Sequence, residues 1–148
     1  MNIDVKIKLS RGASVPTYAT PDSAAVDLRA ALEGGSVTVF PGERKMIPTG
    51  IAIAPESRDV VAVIAARSGL GCKKGINLAN GIGVIDADYR GEIAVTLYNS
   101  STAPFTVEDG DRIAQMMFLP VIHGNFTAVD SLDNTSRGEG GFGSTGVK

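Results

Sequence analysis

The amino-acid sequence predicts an all-β domain, and three observations carry that prediction. β-Branched residues dominate the apolar set: 14 Val and 12 Ile stand against 8 Leu, with no Trp, and such side chains suit a pleated sheet better than a helix. The 18 Gly and 7 Pro supply the turn residues that many short strands need. Turn signals recur roughly every eight to twelve residues, the spacing of a sandwich or barrel. At 148 residues the chain suits one domain with its own core. With 43% apolar and 20% charged residues it has ordinary globular composition.

Taken in order, Ile3, Val5, Ile7 and Leu9 alternate with Asp4, Lys6 and Lys8, which predicts a half-buried strand. Residues 10–25 are small and polar, with Pro16 and Pro21, and read as loop. Short strands follow over Val26–Ala30 and Val37–Phe40, the second closed by Pro41-Gly42. Met46-Ile47 and Ile51–Ala54 flank the turn Pro48-Thr49-Gly50, and Val60–Ala66 is apolar throughout, as a strand buried on both faces would be. In Arg67–Gly75, Ser68 as N-cap and Gly75 as stop predict one or two helical turns. Ile82–Ile85 and Glu92–Leu97 bracket Asp86–Gly91 and predict a hairpin with a polar tip. Asp109-Gly110-Asp111 turns the chain into Ile113–Leu119.

The domain so predicted spans residues 1–135, and residues 136–148 form a separate glycine-rich arm. From Ser136 the sequence reads SRGEGGFGSTGVK, too poor in apolar surface to build a core. It is a flexible tail or an arm that orders on a ligand, with Phe142 as a stacking face and Arg137 as a fork for phosphate.

A net charge of −2 argues against a general nucleic-acid surface. Val60–Ala66 is far too short to span a membrane. The charged start MNIDVKIKL holds no signal-peptide core. A single cysteine, Cys72, forms no intramolecular disulfide and fits the cytoplasm or another reducing compartment. With one Cys and one His, a zinc site or a Cys-His pair is disfavoured.

Three clusters mix glycine with charge. Arg67-Ser68-Gly69 offers a guanidinium, a hydroxyl and turn N–H groups, a set that suits a phosphate as well as a plain helix start. In Gly83–Gly91, Asp86 is a candidate base for water and Asp88 a candidate Asx turn former. The tail's GEGGFGST has the spacing of a phosphate loop, but Ser144 replaces its lysine and no helix follows, so a Walker-type NTPase is excluded.

In order and spacing these clusters resemble the five motifs of the homotrimeric dUTPase (deoxyuridine triphosphate nucleotidohydrolase) family. The motifs are Ala24–Ala30 (AAVDLRA), Ala66–Leu70 (ARSGL), Asn80–Glu92, Gly110–Gln115 (GDRIAQ) and Arg137–Gly146. Ala25 and Ala66 stand where the family commonly has Gly and Pro. The resemblance implies a jelly-roll, barrel-like trimer with sites shared between subunits, and hydrolysis of dUTP to dUMP and pyrophosphate. That reaction keeps uracil out of DNA and supplies dUMP for dTMP synthesis.

By the same resemblance, Asp86 activates the attacking water. Arg67, Ser68, Gly69 and Gln115 bind phosphates, and Asn80, Gly83, Val84 and Ile85 read the uracil edge. Tyr89 lies under the deoxyribose. From the arm, Phe142 stacks on the base while Arg137, Gly143 and Ser144 reach the triphosphate. Mg²⁺ is held by substrate phosphates and water, with Asp27 touching it only through a water. The related dCTP deaminases carry a glutamate in the strand Val95–Asn99, where this chain has Thr96. The other readings are a silent family member with a regulatory partner and a plain ligand-binding module.

Overall fold

The computed structural model describes residues 2–142. Among them are eleven strands and one short helix: β1 (Val5–Leu9), β2 (Val26–Arg29), β3 (Ser36–Val39), β4 (Arg44–Pro48), β5 (Ile51–Pro55), β6 (Val60–Ala65), α1 (Ser68–Lys74), β7 (Ile76–Leu78), β8 (Gly83–Ile85), β9 (Ala94–Asn99), β10 (Phe105–Glu108) and β11 (Arg112–Pro120). The all-β expectation holds, and no helix among the described residues is long and apolar enough to cross a membrane.

The strands form four antiparallel sheets: β1-β5, β10-β3, β4-β9-β7 and β2-β11-β6-β8. Each contributes inward residues to one core, where Leu28, Val39, Ile47, Ile76, Ile93, Leu97, Val107 and Ile113 are fully buried. The alternation in β5, with Ile51 and Ile53 buried and Ala52 and Ala54 half-buried, is the period-two pattern of a sheet covering a core on one face.

The Thr49-Gly50 turn joins several layers. The Gly50 carbonyl accepts from the Ser10 N–H, the Ile51 carbonyl from the Ile93 N–H, and the buried Thr49 hydroxyl donates to the Ile93 carbonyl. Gly50 has φ +68°, and a Cβ there would run into Ser10 and Ala13, so both its conformation and its surroundings require glycine.

Three sequence expectations change. Asp86–Gly91 is not a hairpin tip: β8 pairs with β6, whereas β9 pairs with β4 and β7, so the loop crosses between sheets. Glu92 lies outside β9, its carboxylate accepting from the Gly50 N–H at 2.9 Å. β6 is fully buried on one face only: Ala62 and Ile64 are in the core, while Val61 and Val63 are half-buried. Finally, Arg67 rather than Ser68 is the N-cap of α1, in extended backbone and without a side-chain cap bond. Gly75 does end the helix, in the left-handed conformation (φ 68°).

After β11 the chain runs from Val121 to Phe142 without helix or strand. Ile122, Phe126 and Leu132 are largely or wholly exposed on it. The chain thus leaves the sheets after Pro120, ahead of residue 136, where the sequence places the start of the arm.

Candidate functional site

The register of the four-stranded sheet gathers the first cluster. Gln115 of β11 is paired with Asp27 of β2 on one side and with Ala65 of β6 on the other. Arg67 follows two residues beyond Ala65 and reaches back across β11 to Asp27, Nε donating to Oδ1 at 2.7 Å. Arg112 donates from Nη1 to the other oxygen of Asp27 at 3.2 Å. Gln115 donates from its side-chain amide to the Ala66 carbonyl at 2.9 Å, which leaves its second amide hydrogen free. Two guanidiniums against one carboxylate give the corner a net positive charge.

Ser68 and Gly69 are exposed at the start of α1. The first helical bonds come from the N–H groups of Leu70 and Gly71, both to the Arg67 carbonyl, so those of Ser68 and Gly69 precede them and are free donors. Ser68 does not cap the helix, and its hydroxyl has no partner among the described residues.

The second cluster lies along β8. This strand is the edge of its sheet, and an edge strand presents unpaired main-chain N–H and C=O groups on its open side. Val84 is exposed there, between Gly83 and Ile85. A Cβ on Gly83 would stand 3.0 Å from the Ile64 side chain, so the glycine permits the close approach of β8 to β6. The turn at Asn80 is tightened by Gly81 at φ +77°, and among the described residues the Asn80 side chain has no hydrogen-bond partner.

In the loop after β8, the Asp86 carbonyl accepts from the Tyr89 N–H at 3.1 Å. The Tyr89 hydroxyl donates to the Glu92 carbonyl at 3.1 Å. Its ring lies over Gly91, where a Cβ would come within 3.0 Å of Tyr89 Cε2 and closer still to Cζ and the hydroxyl. Gly91 is therefore the residue that lets Tyr89 fold back, a support the sequence reading missed. Arg90 donates to the carbonyls of Ala87 and Tyr89. Asp88 makes no Asx-type bond among the described residues, so backbone and Arg90 bonds close the turn instead.

The structure brings Asp27, Arg67 and Gln115 together, and separately Gly83, Val84, Ile85, Asp86 and Tyr89, but the two groups stay apart. Ile85 pairs with Ala62, so Asp86 stands beside the start of β6 while Arg67 lies beyond its end. At about 3.3 Å per residue the offset is roughly 20 Å. Arg67 also leans toward β2, at the sheet edge opposite β8. A cleft of about 740 Å³ is lined by Asp27 and Arg112 but by neither Arg67, Asn80, Asp86 nor Tyr89, and one of about 670 Å³ by none of these. In one chain the candidate site lies in two pieces.

Of the arm, Arg137 donates from Nε to the Gly140 carbonyl at 2.9 Å, and Phe142 is fully exposed. Gly143 and Ser144 lie outside the described residues. Among those described, no three His, Cys, Asp or Glu side chains converge on a point that could hold a metal.

Comparison with known proteins bears on these pieces as a set. The dUTPase family model matches residues 11–146. A deoxyuridine 5'-triphosphate nucleotidohydrolase of Desulfitobacterium hafniense is 53% identical over 97% of both chains. One of Shewanella sediminis is 53% identical over 99% of this chain and 97% of its own. In structure, the dUTPase of Staphylococcus bacteriophage 80alpha, a G164S mutant solved with dUpNHpp, superposes with a TM-score of 0.86 at 25% identity, covering 99% of each chain. The jelly-roll expectation is thereby met, and with more than nine-tenths of the sequence aligned to relatives of one kind, the chain belongs to the dUTPase family.

Proposed function

We propose that the protein hydrolyses dUTP to dUMP and pyrophosphate at sites shared between copies of the chain, most simply three, as the sequence resemblance implies. The observation that carries the shared site is the separation along β6. The reach from an α-phosphorus to its γ-phosphate is far shorter than the roughly 20 Å between Asp86 and Arg67. One copy's β8 and Asp86 must therefore meet another copy's Arg67, Ser68 and Gln115. The half-open outer face of β6, with Val61 and Val63, is the apolar surface such a meeting would cover.

Within that site the open edge of β8 offers uracil a fixed pattern of main-chain donors and acceptors beside Asn80. A backbone-lined pocket rejects the thymine methyl more sharply than a loose apolar one. Tyr89, held over Gly91 and bonded to the Glu92 carbonyl, packs against the deoxyribose and leaves no room for a 2'-hydroxyl. Asp86, whose carboxylate has no hydrogen-bond partner among the described residues, takes the proton from the water that attacks the α-phosphorus. The free N–H groups of Ser68 and Gly69, the Ser68 hydroxyl, Arg67 and Gln115 meet the negative charge of the departing pyrophosphate.

The residues fit a metal that arrives on its substrate: no protein cage is needed when Mg²⁺ keeps its waters and binds phosphate oxygens. Bound so, Mg²⁺ neutralises triphosphate charge. Phe142 stacks on the base while Arg137, Gly143 and Ser144 close over the phosphates from a further copy. The product dUMP would serve dTMP synthesis, and removal of dUTP would keep uracil out of DNA.

The test is a panel of dUTP, dTTP, dCTP and UTP with Mg²⁺, scored for pyrophosphate and for the nucleoside monophosphate, beside sedimentation at assay concentration. Trimers active on dUTP alone are expected. Mixing an Asp86→Asn chain with one lacking residues 137–148 should restore some activity, since mixed assemblies can hold sites with a sound base and a sound arm. An active monomer overturns the shared site, and deamination or indifference to dUTP overturns the reaction.

A further inference from the structure

We infer that Glu92 is a positioning residue for the sugar end of the site: its carboxylate ties the end of the Asp86–Gly91 loop to the body of the domain and so sets the Tyr89 ring. The inference rests on the functional reading above, which places Tyr89 against the deoxyribose, and adds what holds that ring. Among the described residues, the hydrogen bonds of residues 87–91 stay inside the loop or end on Glu92. The Tyr89 N–H donates to the Asp86 carbonyl, Arg90 to the carbonyls of Ala87 and Tyr89, and the Tyr89 hydroxyl to the Glu92 carbonyl at 3.1 Å. A loop bonded only to itself moves as a unit unless something outside fixes it. Glu92 supplies that outside attachment.

The attachment has two parts. Glu92 Oε1 accepts from the Gly50 N–H at 2.9 Å, and Arg11 Nε lies 3.4 Å from both carboxylate oxygens. The Arg11 side chain is 43% exposed, so the long ion pair adds less than the part-buried backbone bond. Gly50 is itself a fixed point: its carbonyl accepts from the Ser10 N–H, and a Cβ on it would run into Ser10 and Ala13. The carboxylate that Gly50 holds and the carbonyl that holds Tyr89 belong to one residue. A single restraint therefore passes from the Thr49-Gly50 turn to the tyrosine ring.

The backbone around Arg11 supports the same reading. Arg11 also donates from Nη1 to Glu33 at 3.3 Å. Arg11 (φ 51°) and Glu33 (φ 54°) are the non-glycine residues with positive φ among those described, and a side chain keeps that conformation only where its surroundings impose it. Both meet at the contact with Glu92. Ile93, by contrast, is anchored through its own backbone, its N–H donating to the Ile51 carbonyl at 2.7 Å and its carbonyl accepting from the Thr49 hydroxyl. Loss of the Glu92 carboxylate should thus loosen the loop and leave β9 in place.

The experiment compares kcat/KM for dUTP and for UTP, with Mg²⁺, beside the thermal midpoint. The proteins are the wild type, Tyr89→Ala, Tyr89→Phe, Glu92→Ala, Glu92→Gln, Arg11→Gln and the Tyr89→Phe/Glu92→Ala double variant. Glu92→Ala should lower the preference for dUTP over UTP roughly tenfold, the scale of one misplaced methylene, with KM for dUTP rising more than kcat falls. Glu92→Gln should recover most of this, because its amide oxygen still accepts from the Gly50 N–H. Arg11→Gln should act in the same direction by about two- to fivefold, the worth of an exposed pair. The double variant should discriminate little worse than Tyr89→Phe alone, since both changes remove one restraint. A lowered midpoint with unchanged preference in Glu92→Ala makes the residue merely structural and overturns the inference, as does full additivity in the double variant. Where Glu92→Ala fails to fold, Arg11→Gln decides, and an unshifted preference there overturns the inference. A wild type that ignores dUTP overturns the functional reading. A preference that survives Tyr89→Ala removes Tyr89 from the 2' position, and this inference with it. Loss of preference in Tyr89→Ala but not in Glu92→Ala overturns the inference alone.

Discussion

The two polar regions of this chain are built in opposite ways. Around Arg67 the side chains are bonded to one another and to nearby carbonyls: Arg67 and Arg112 to Asp27, Gln115 to Ala66. In the loop after β8 the carboxylates of Asp86 and Asp88 have no partners among the described residues, and only Tyr89 and Arg90 are tied down, both to backbone. The difference follows from the work proposed for each. Long cationic side chains carry large rotamer entropy and must be held before a polyanion arrives, and a neighbouring carboxylate does that. A general base must keep its lone pairs for water. Pre-organisation therefore belongs to the phosphate end, and availability to the base.

The sharpest way to break this contrast is Asp86→Asn. The amide keeps size and shape but accepts no proton, so kcat should fall by about 10²–10⁴. Because Asp86 makes no side-chain bond among the described residues, the thermal midpoint and dUpNHpp affinity should hardly change. Single-turnover rates beside calorimetry check both halves. Near-normal turnover moves the base to Asp88 or Asp27 and removes the contrast.

Deleting residues 137–148 probes the third part of the proposed site. Among the described residues Arg137 and Gly138 bond within the arm or to Thr135, so the truncated protein should melt like the full chain and keep its assembly. Activity should nevertheless fall by well over tenfold, because stacking and phosphate contacts go together. Phe142→Ala alone should cost about 1–3 kcal/mol of binding. A truncated enzyme with full activity reduces the arm to a tail.

How far the sequence itself discloses these arrangements depends on the range of the interactions. Nine of the eleven strands are legible because alternation and turn residues act locally, as in Ile3–Leu9 and Pro48-Thr49-Gly50, whereas β7 (Ile76–Leu78) and β10 (Phe105–Glu108) are not read from the sequence. The crossing of Asp86–Gly91 between sheets is not, because two apolar runs flanking a short polar loop look like a hairpin whatever strands they pair with. Val60–Ala66 reads as buried on both faces for a related reason: composition reports that a surface is apolar, not whether the same chain covers it. Arg67, Asp86 and Phe142 stand out through residue type and motif order. Gly91 does not, because its value is the space it leaves for the Tyr89 ring, and the pairing of Asp27 with Arg67 depends on register across β11.

That hidden glycine gives a smaller effect that sharpens the picture of the loop. Gly91→Ala places a methyl against the Tyr89 ring and hydroxyl. The ring must swing away and lose its bond to the Glu92 carbonyl. The expected result is weaker rejection of UTP relative to dUTP, by roughly tenfold, the scale of one misplaced methylene in a pocket. Competition kinetics with the two nucleotides measure it. Unchanged discrimination would mean that Tyr89 does not guard the 2' position.

The smallest effect concerns stability at acid pH and asks whether the held region extends past Asp27. Asp109, in the turn before β11, accepts from the backbone N–H groups of Leu32 at 2.6 Å and Gly34 at 3.0 Å. These bonds, that from Leu32 foremost, hold its carboxyl below the ordinary aspartate value of 3.8. A depressed value means that the folded state prefers the charged form. The resulting stabilisation is complete above pH 3.8 and fades as pH falls from there through the folded value. Asp109→Asn turns an amide donor toward two N–H donors, so it should lower the thermal midpoint at neutral pH. The gap from wild type should stay constant down to about pH 4 and narrow below it, as the wild-type carboxylate takes up its proton. Melting curves across that range decide the matter: a gap that does not narrow would show that the turn is held by shape rather than charge, and that the charge-held region ends at Arg112.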